Sequence, residues 1–272
     1  MRAIVTSPVC PLHVQPRGDS PLADEALYGM VVEVLEQTTP GYWKVRTHYR
    51  YEGYAPVRCL VIGDEAAQRW EALPKKVVLQ KNFCDVMADS AVQSFSLITL
   101  PRGAVVSPEG EPEEDWQYVT LPDGGVGYVR ESALDDYHAT PLRLPERQLR
   151  QRICDTALLY LGTSYRWGGK TPLGIDCSGL TSMSYLLNGI VIYRDARLMD
   201  GFPIRPIRRE ELKPADLLYF PGHIALYLGN GKYIHATGKA GSDGVVINSL
   251  DPASPDYRED LDKSLIAAGT YF

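Results

Sequence analysis

The sequence predicts a multidomain chain in which two small β-barrels are followed by an α+β domain. Three observations lead there. The 272 residues suffice for two or three domains at roughly 100–200 residues each. Residues 1–134 carry short strand-like runs broken by turn residues, and one pattern among them occurs twice. Beyond residue 145 the apolar residues move to helical spacing, and strands return only afterwards.

In the first barrel, residues 1–63, AIVTS is a short strand followed by a Pro/Gly/Asp loop. LYGMVVEVLEQ alternates through Val32 and Val34, TPGYWKVRT is a turn and a strand, and YEGYAPVRCLVIG closes the unit. Residues 64–74 are a connector: DEAAQRWEAL reads as a short helix with Pro74 just past its end. Residues 75–138 repeat the β pattern with KKVVLQ, SFSLITLPRGAVVSP, DWQYVTLP and GGVGYVRESAL. The last two answer GYWKVRT and YEGYAPVRCL, so both units read as copies of one barrel.

Residues 139–272 form the third unit. In ERQLRQRICDTALLYLGTSY, Leu149, Ile153, Ala157, Leu158 and Leu161 fall near helical spacing and predict a helix ending at Gly162. Gly168, Gly169, Pro172 and Gly174 predict irregular backbone. CSGLTSMSYLLNG predicts a second helix, stopped by Gly189. Strands at 216–220, 223–229, 232–237 and 244–250 follow and predict an antiparallel sheet.

Composition excludes several classes. Hydrophobic residues at 44% and charged residues at 23% suit a globular chain, not a disordered one. No apolar run reaches the roughly 18 residues of a membrane helix, so no membrane partner is expected. MRAIVTSPVCPLHVQPRGDS lacks the continuous apolar core of a secretory signal, which gives the expectation of a cytoplasmic protein. The net charge of −6 divides into −8 over residues 1–138 and +2 over 139–272, with no basic stripe. Nucleic acid is therefore not an expected partner. A monomer is favoured. Cys10, Cys59, Cys84, Cys154 and Cys177 are odd in number and form no CxxC. They read as reduced thiols, not as a disulfide framework or a zinc site, and no metal or cofactor is implied.

Cys177 stands between the Gly-rich stretch and the second helix of the third unit. At a helix start the free N–H groups and the dipole favour a thiolate, which is the reactive form of a cysteine nucleophile. The bland alternative is a buried structural cysteine. Two of the five histidines, His223 and His235, fall on adjacent strands joined by Gly229-Asn230-Gly231. Strand parity makes this a test. A two-residue Asn-Gly turn pairs Tyr227 with Ile234 and puts the histidines on opposite faces. A three-residue turn, or an equivalent bulge, pairs Tyr227 with Tyr233 and puts both on one face, about 7–8 Å apart between backbones. A Cys with two same-face histidines is a nucleophile, a base and a group that fixes the base's tautomer. His223 is read as the base and His235 as the orienter, with the reverse order left open. A zinc site from the same three residues lacks any short-spaced ligand pair.

At these residues the chain resembles the NlpC/P60 cysteine peptidases. YRWGGKTPLGIDCSGL, LKPADLLYF and HIALYLGNGKYIHATG carry the resemblance, in the family's order, over about residues 150–272. It implies a papain-like fold with Cys177, His223 and His235 as catalytic triad. The two β units resemble bacterial SH3 (SH3b) domains, so the implied fold is two SH3-like barrels followed by an α+β papain-like NlpC/P60 domain. The whole layout, with IYRDA and TGKAGSDGVVI, resembles the γ-D-glutamyl-L-diamino acid endopeptidases (dipeptidyl-peptidase VI type).

That subgroup implies a murein-derived peptide, L-Ala-γ-D-Glu-diamino acid, as partner, cut before meso-diaminopimelate or L-Lys in cell-wall peptide recycling. The first SH3b unit is then expected to leave room only for a free N-terminal alanine. By matching position, Asp176 and Ser178 would hold the substrate amine, with Tyr51 and Glu25 from the first β unit and Tyr165 lining the site. Asp24 stands beside Glu25 as the alternative acid. Asp176 could instead, or also, be a helix cap. Two departures fall outside the triad: Ile224-Ala225 replaces the family's common Val-Gly pair, and Ile175 its frequent Phe. The alternative function is a secreted or wall-associated hydrolase acting on intact murein, with the SH3b units as wall-binding modules.

Overall fold

The computed structural model describes residues 1–272 and divides into two compact units, Met1–Tyr137 and His138–Phe272.

The first unit holds two seven-stranded antiparallel sheets. One is made of β1 (Arg2–Val5), β2 (Val9–His13), β3 (Leu22–Leu27), β4 (Val31–Thr39), β5 (Tyr42–Thr47), β6 (Glu52–Pro56) and β7 (Leu60–Ile62). A helix, α1 (Asp64–Ala72), leads to the other: β8 (Lys76–Val78), β9 (Phe83–Met87), β10 (Ser96–Pro101), β11 (Val105–Pro108), β12 (Trp116–Thr120), β13 (Val126–Arg130) and β14 (Leu134–Asp136). The strand orders are β3-β2-β6-β5-β4-β1-β7 and β10-β9-β13-β12-β11-β8-β14. Adding seven to every label of the first order gives the second. A short 3-10 turn precedes the last strand in each, at Val57–Cys59 and Glu131–Ala133.

Alternation explains the packing. In β4, Val32 and Val34 are buried while Glu33 is exposed. Val78, Val86, Leu100, Val106, Val119 and Val129 fill the second sheet's interior, each contributing about 1.5–3 kcal/mol by burial. In α1 only Ala67 and Trp70 are buried, and the Trp70 indole N–H donates to the Gly29 carbonyl at 2.8 Å. Pro11 lies inside β2, within the stretch expected as a Pro/Gly/Asp loop.

The second unit opens with α2 (Glu146–Leu158). The sequence places this helix's end at Gly162; the structure unwinds it earlier, through Tyr160 N–H to Ala157 O and Leu161 N–H to Leu158 O. Gly162, at φ +82°, then donates to Val245 O. The stretch expected to be irregular contains a two-residue ribbon, β15 (Lys170–Thr171) and β16 (Gly174–Ile175). α3 (Cys177–Leu186) follows and is buried from Cys177 to Tyr185, so it has no solvent face through those residues. Its stop, Gly189, has φ +77°, and a Cβ there would lie 2.0 Å from Thr140 O.

A six-stranded antiparallel sheet completes the unit. Its members are β17 (Arg205–Ile207), β18 (Leu217–Phe220), β19 (His223–Gly229), β20 (Lys232–Thr237), β21 (Gly244–Ser249) and, after α4 (Glu259–Ser264), β22 (Ala267–Thr270). The order is β17-β22-β18-β19-β20-β21. The sequence reading expected only β18 to β21. β22 returns from the end of the chain to sit between β17 and β18. α3 packs on β19 and β20, and α2 on α3 and β19. Arg150 of α2, 7% exposed, fastens this layer. It donates to Asp216 Oδ1 and Pro214 O, both at 2.7 Å, and to Thr270 Oγ1 at 3.2 Å.

Candidate active site

Asp176 sets the start of α3. Its extended backbone (φ −94°, ψ 176°) and its carboxylate, which accepts from the Gly179 N–H, make it the N-cap. The same carboxylate accepts from the Gly168 N–H (2.8 Å), the Ser178 hydroxyl (3.2 Å) and both terminal nitrogens of Arg194 (3.0 and 3.1 Å). Arg194, 2% exposed, also donates to Ser178 Oγ at 2.6 Å. A buried bidentate pair therefore locks the loop before Cys177 to the first turn after it. Gly179 is required by the same closeness: a Cβ there would lie 2.2 Å from Gly169 O. Of the two readings left open for Asp176, the structure shows the cap.

Cys177 is the first residue of α3 and is buried. The backbone N–H groups of Ile224 and Ser178 lie near its sulfur and favour the thiolate. Ile224 directly follows His223, so the sulfur sits against the first peptide of β19. The helix start was expected to favour the thiolate. The structure corrects this. Burial, followed by the negative charge of Asp176, pushes the thiol up to about 11, beyond what the two N–H groups and Arg194 offset.

The parity test resolves through a bulge. Gly229 pairs with Lys232 around the two-residue Asn230-Gly231 turn, where both turn residues have positive φ. Leu228 is then an extra residue on β19, and beyond it Tyr227 pairs with Tyr233 and Leu226 with Ile234. That register continues to Ala225 opposite His235, so His223 and His235 share a face. Their rings meet with His223 Nε2 2.7 Å from His235 Nδ1 and the ring planes 79° apart.

His235 is fully buried, and its Nε2 lies 2.9 Å from Asn248 Oδ1 of β21. Asn248 Nδ2 in turn donates to the Asp256 carbonyl at 3.0 Å. The sequence reading missed Asn248. The register supplies the signal that could have found it: His235 pairs with Val246, so Asn248, two residues on, faces the same side. Both ring nitrogens of His235 are spent in these bonds, which leaves none for the zinc alternative.

Burial, then the neighbouring His235 and Arg258, hold His223 down to about 3. Burial is also the main cause that holds His235 down to about 4, opposed by its bond to Asn248. The resting site is thus a neutral thiol beside two neutral imidazoles. Such a set can pass a thiol proton to a ring nitrogen as the sulfur attacks, with the Cys177 N–H at the start of α3 facing a developing oxyanion.

Tyr165 pairs through an isolated parallel bridge with Ile175. Burial, then the charges of Cys177 and Asp176, raise its phenol to about 12. The second unit therefore brings together Cys177, His223, His235, Asp176, Ser178 and Tyr165. Glu25 and Tyr51 belong to the first unit. Glu25 is a buried residue of β3 paired with Pro11, and its neighbour Asp24 accepts from the Tyr49 hydroxyl at 2.6 Å. Tyr51 precedes β6, with its N–H bonded to Thr47 Oγ1 at 3.0 Å.

Comparison with known proteins agrees with this geometry. Residues 162–258 match the NlpC/P60 family. A protein of Lysinibacillus sphaericus named dipeptidyl-peptidase 6 is 42% identical, with all of both chains covered. A gamma-D-glutamyl-L-lysine dipeptidyl-peptidase of Bacillus cereus is 24% identical over 79% of this chain and 67% of its own. The crystal structure of an NlpC/P60 family protein from Bacillus cereus superimposes with a TM-score of 0.82 at 21% identity, covering 100% of this chain and 99% of that one. A relative this similar along its whole length, together with the matched block that holds the thiol and both imidazoles, shows that the chain belongs to the NlpC/P60 family of cysteine peptidases.

Proposed function

We propose that this peptidase hydrolyses the γ-D-Glu–diamino acid bond of murein-derived peptides that carry a free N-terminal L-Ala, releasing L-Ala-γ-D-Glu, and that it does so in the cytoplasm as part of peptide recycling. The observation that carries the chemistry is the 2.7 Å bond between His223 and His235 on the strands packed against the helix of Cys177. The substrate follows from the printed names of the two relatives above and from the resemblance of the whole layout, including two N-terminal units read as SH3b domains.

Cys177 is the nucleophile and His223 the base. The thiol proton moves to His223 as sulfur bonds to the carbonyl carbon and the carbonyl π pair moves to oxygen. The oxyanion is met by the Cys177 N–H. Collapse of the tetrahedral centre breaks the C–N bond, and the imidazolium gives its proton to the leaving amine. Water then adds to the thioester with His223 again as base, and the dipeptide leaves. His235 holds the His223 ring throughout.

Asp176 and Ser178 are proposed to meet the substrate ammonium, with Tyr165 as a wall. A buried ammonium needs opposite charge, and Arg194 already compensates Asp176. Glu25 and the Tyr51 hydroxyl, taken from the resemblance alone, are proposed as the ammonium's further partners. The test is mass spectrometry of L-Ala-γ-D-Glu-meso-diaminopimelate and its L-Lys counterpart incubated with wild type and Cys177→Ala. Dipeptide release by wild type alone supports the reading. Equal cleavage of the N-acetylated peptide, or release of peptide from intact sacculi, would favour a wall hydrolase instead.

A further inference from the structure

We propose that Asn248 is a positioning residue that fixes the direction of every hydrogen bond through the histidine pair, so that His223 keeps Nδ1 bare as the base. This rests on the roles given above to Cys177, His223 and His235, and its test is chosen to read out separately from peptide cleavage.

The argument begins at a group with only one polarity. The Asp256 carbonyl can only accept, and it already accepts from the Ser249 N–H at 3.1 Å. The Asn248 atom facing it at 3.0 Å must therefore be the donor, Nδ2. A flipped amide would set oxygen against oxygen. Oδ1 is then the atom 2.9 Å from His235, and it too can only accept, so His235 Nε2 carries the proton. A neutral His235 is left with a lone pair on Nδ1. The 2.7 Å contact to His223 then requires a proton on His223 Nε2. A neutral His223 is left with its lone pair on Nδ1. Four groups in series thus transmit the polarity of one backbone carbonyl to the ring that must take the thiol proton. No proton travels along the series; it sets tautomers only.

The carbonyl at the far end is itself anchored. Lys232 of β20 bonds the Asp256 carboxylate and the Ser254 hydroxyl, and the Arg258 N–H bonds Ser249 O. The charged and titratable groups facing the pair are Asp176 from the cap of α3, Arg258 from the segment before α4, and Asp260 from α4. The Tyr233 ring lies against His235 at 5.2 Å.

The experiment is long-range nitrogen–proton NMR of the imidazoles together with steady-state kinetics, on the full chain. Wild type is expected to show Nε2–H, Nδ1-bare tautomers for both His223 and His235. Asn248→Leu removes the acceptor and frees His235 to donate through Nδ1, which moves the His223 proton to Nδ1. Its kcat is expected to fall about 10²–10⁴-fold with little change in KM. Asn248→Asp retains an acceptor for His235 Nε2. It is expected to keep the wild-type tautomers, recover much of kcat relative to Asn248→Leu, and move the acid limb of the rate profile to higher pH. A proton on Nδ1 of His223 in wild type overturns the proposal, as does a folded Asn248→Leu with unchanged tautomers and rate. The NMR arm of wild type and Asn248→Asp decides the matter even where Asn248→Leu fails to fold. Failure of wild type to cleave the peptide counts against the substrate reading and leaves the tautomer result standing.

Discussion

Tyr227 lies opposite Tyr233 although the turn between their strands contains only Asn230 and Gly231, and the one unpaired residue that makes this possible is Leu228. Side chains alternate faces with a period of two, so whether this extra residue pairs or bulges decides whether the two histidines face apart or meet. Deleting Leu228 removes the bulge but leaves Tyr227 opposite Tyr233, so His223 and His235 keep one face. Peptide cleavage is expected to stay within about tenfold of wild type, with the far-ultraviolet circular dichroism of wild type. A loss of about 10³-fold or more in a folded deletion variant would contradict this register.

The Asp176–Arg194 pair predicts a stability effect. Both side chains are nearly inaccessible, and Arg194 makes its bonds to Asp176 and Ser178. Asp176→Ala removes the cap and the carboxylate that the buried Arg194 pairs with, at a cost of about 3–5 kcal/mol. Adding Arg194→Met removes the other half of the pair, so the loss in the double variant is expected to be smaller than the sum of the two single losses. Urea unfolding midpoints check both expectations. Strictly additive losses would show that the two side chains do not act as a pair.

The histidines predict a pH effect with a definite sign. In the unfolded chain both protonate near the ordinary value of 6.5, while the folded protein holds them to about 4 and about 3. Between those values unfolding takes up protons. The stability that comes from keeping the pair neutral is complete above the unfolded value and is lost as pH falls toward the folded ones. Urea midpoints measured from about pH 7 to about pH 4.5 should therefore decline, and His235→Gln should flatten the decline. Over the same range kcat/KM should hold down to about pH 5, because the base stays unprotonated. An acid limb centred near 6.5 would overturn the neutral resting state.

What the sequence reveals here depends on whether the deciding force is local. β19 and β20 announce their bounds through alternation and glycine turns, and the text around Cys177, His223 and His235 carries the family. β17 and β22 leave no such trace. Arg205-Pro206-Ile207 contains a proline, and Ala267–Thr270 is a run of small residues that becomes a strand only because β18 and β17 flank it. Asn248 is not visible, and the bulge is visible only as a requirement and not as Leu228, since both depend on which residue of one strand lies opposite which residue of the next. The thiol's raised pKa is hidden for a similar reason. A helix start can be read from Asp176 and the glycines before it, but the depth at which tertiary packing buries that start cannot.

α3 has no wet side from Cys177 to Tyr185, so the helix that presents the sulfur is also the centre of its unit's interior. Any substitution that retunes the nucleophile from within this segment disturbs packing at the same stroke, and the margin of a folded domain is small. Evolvability is therefore expected to reside elsewhere. New specificities would arise in the segments that flank the helix, 163–176 and 190–204, while the helix itself stays nearly frozen.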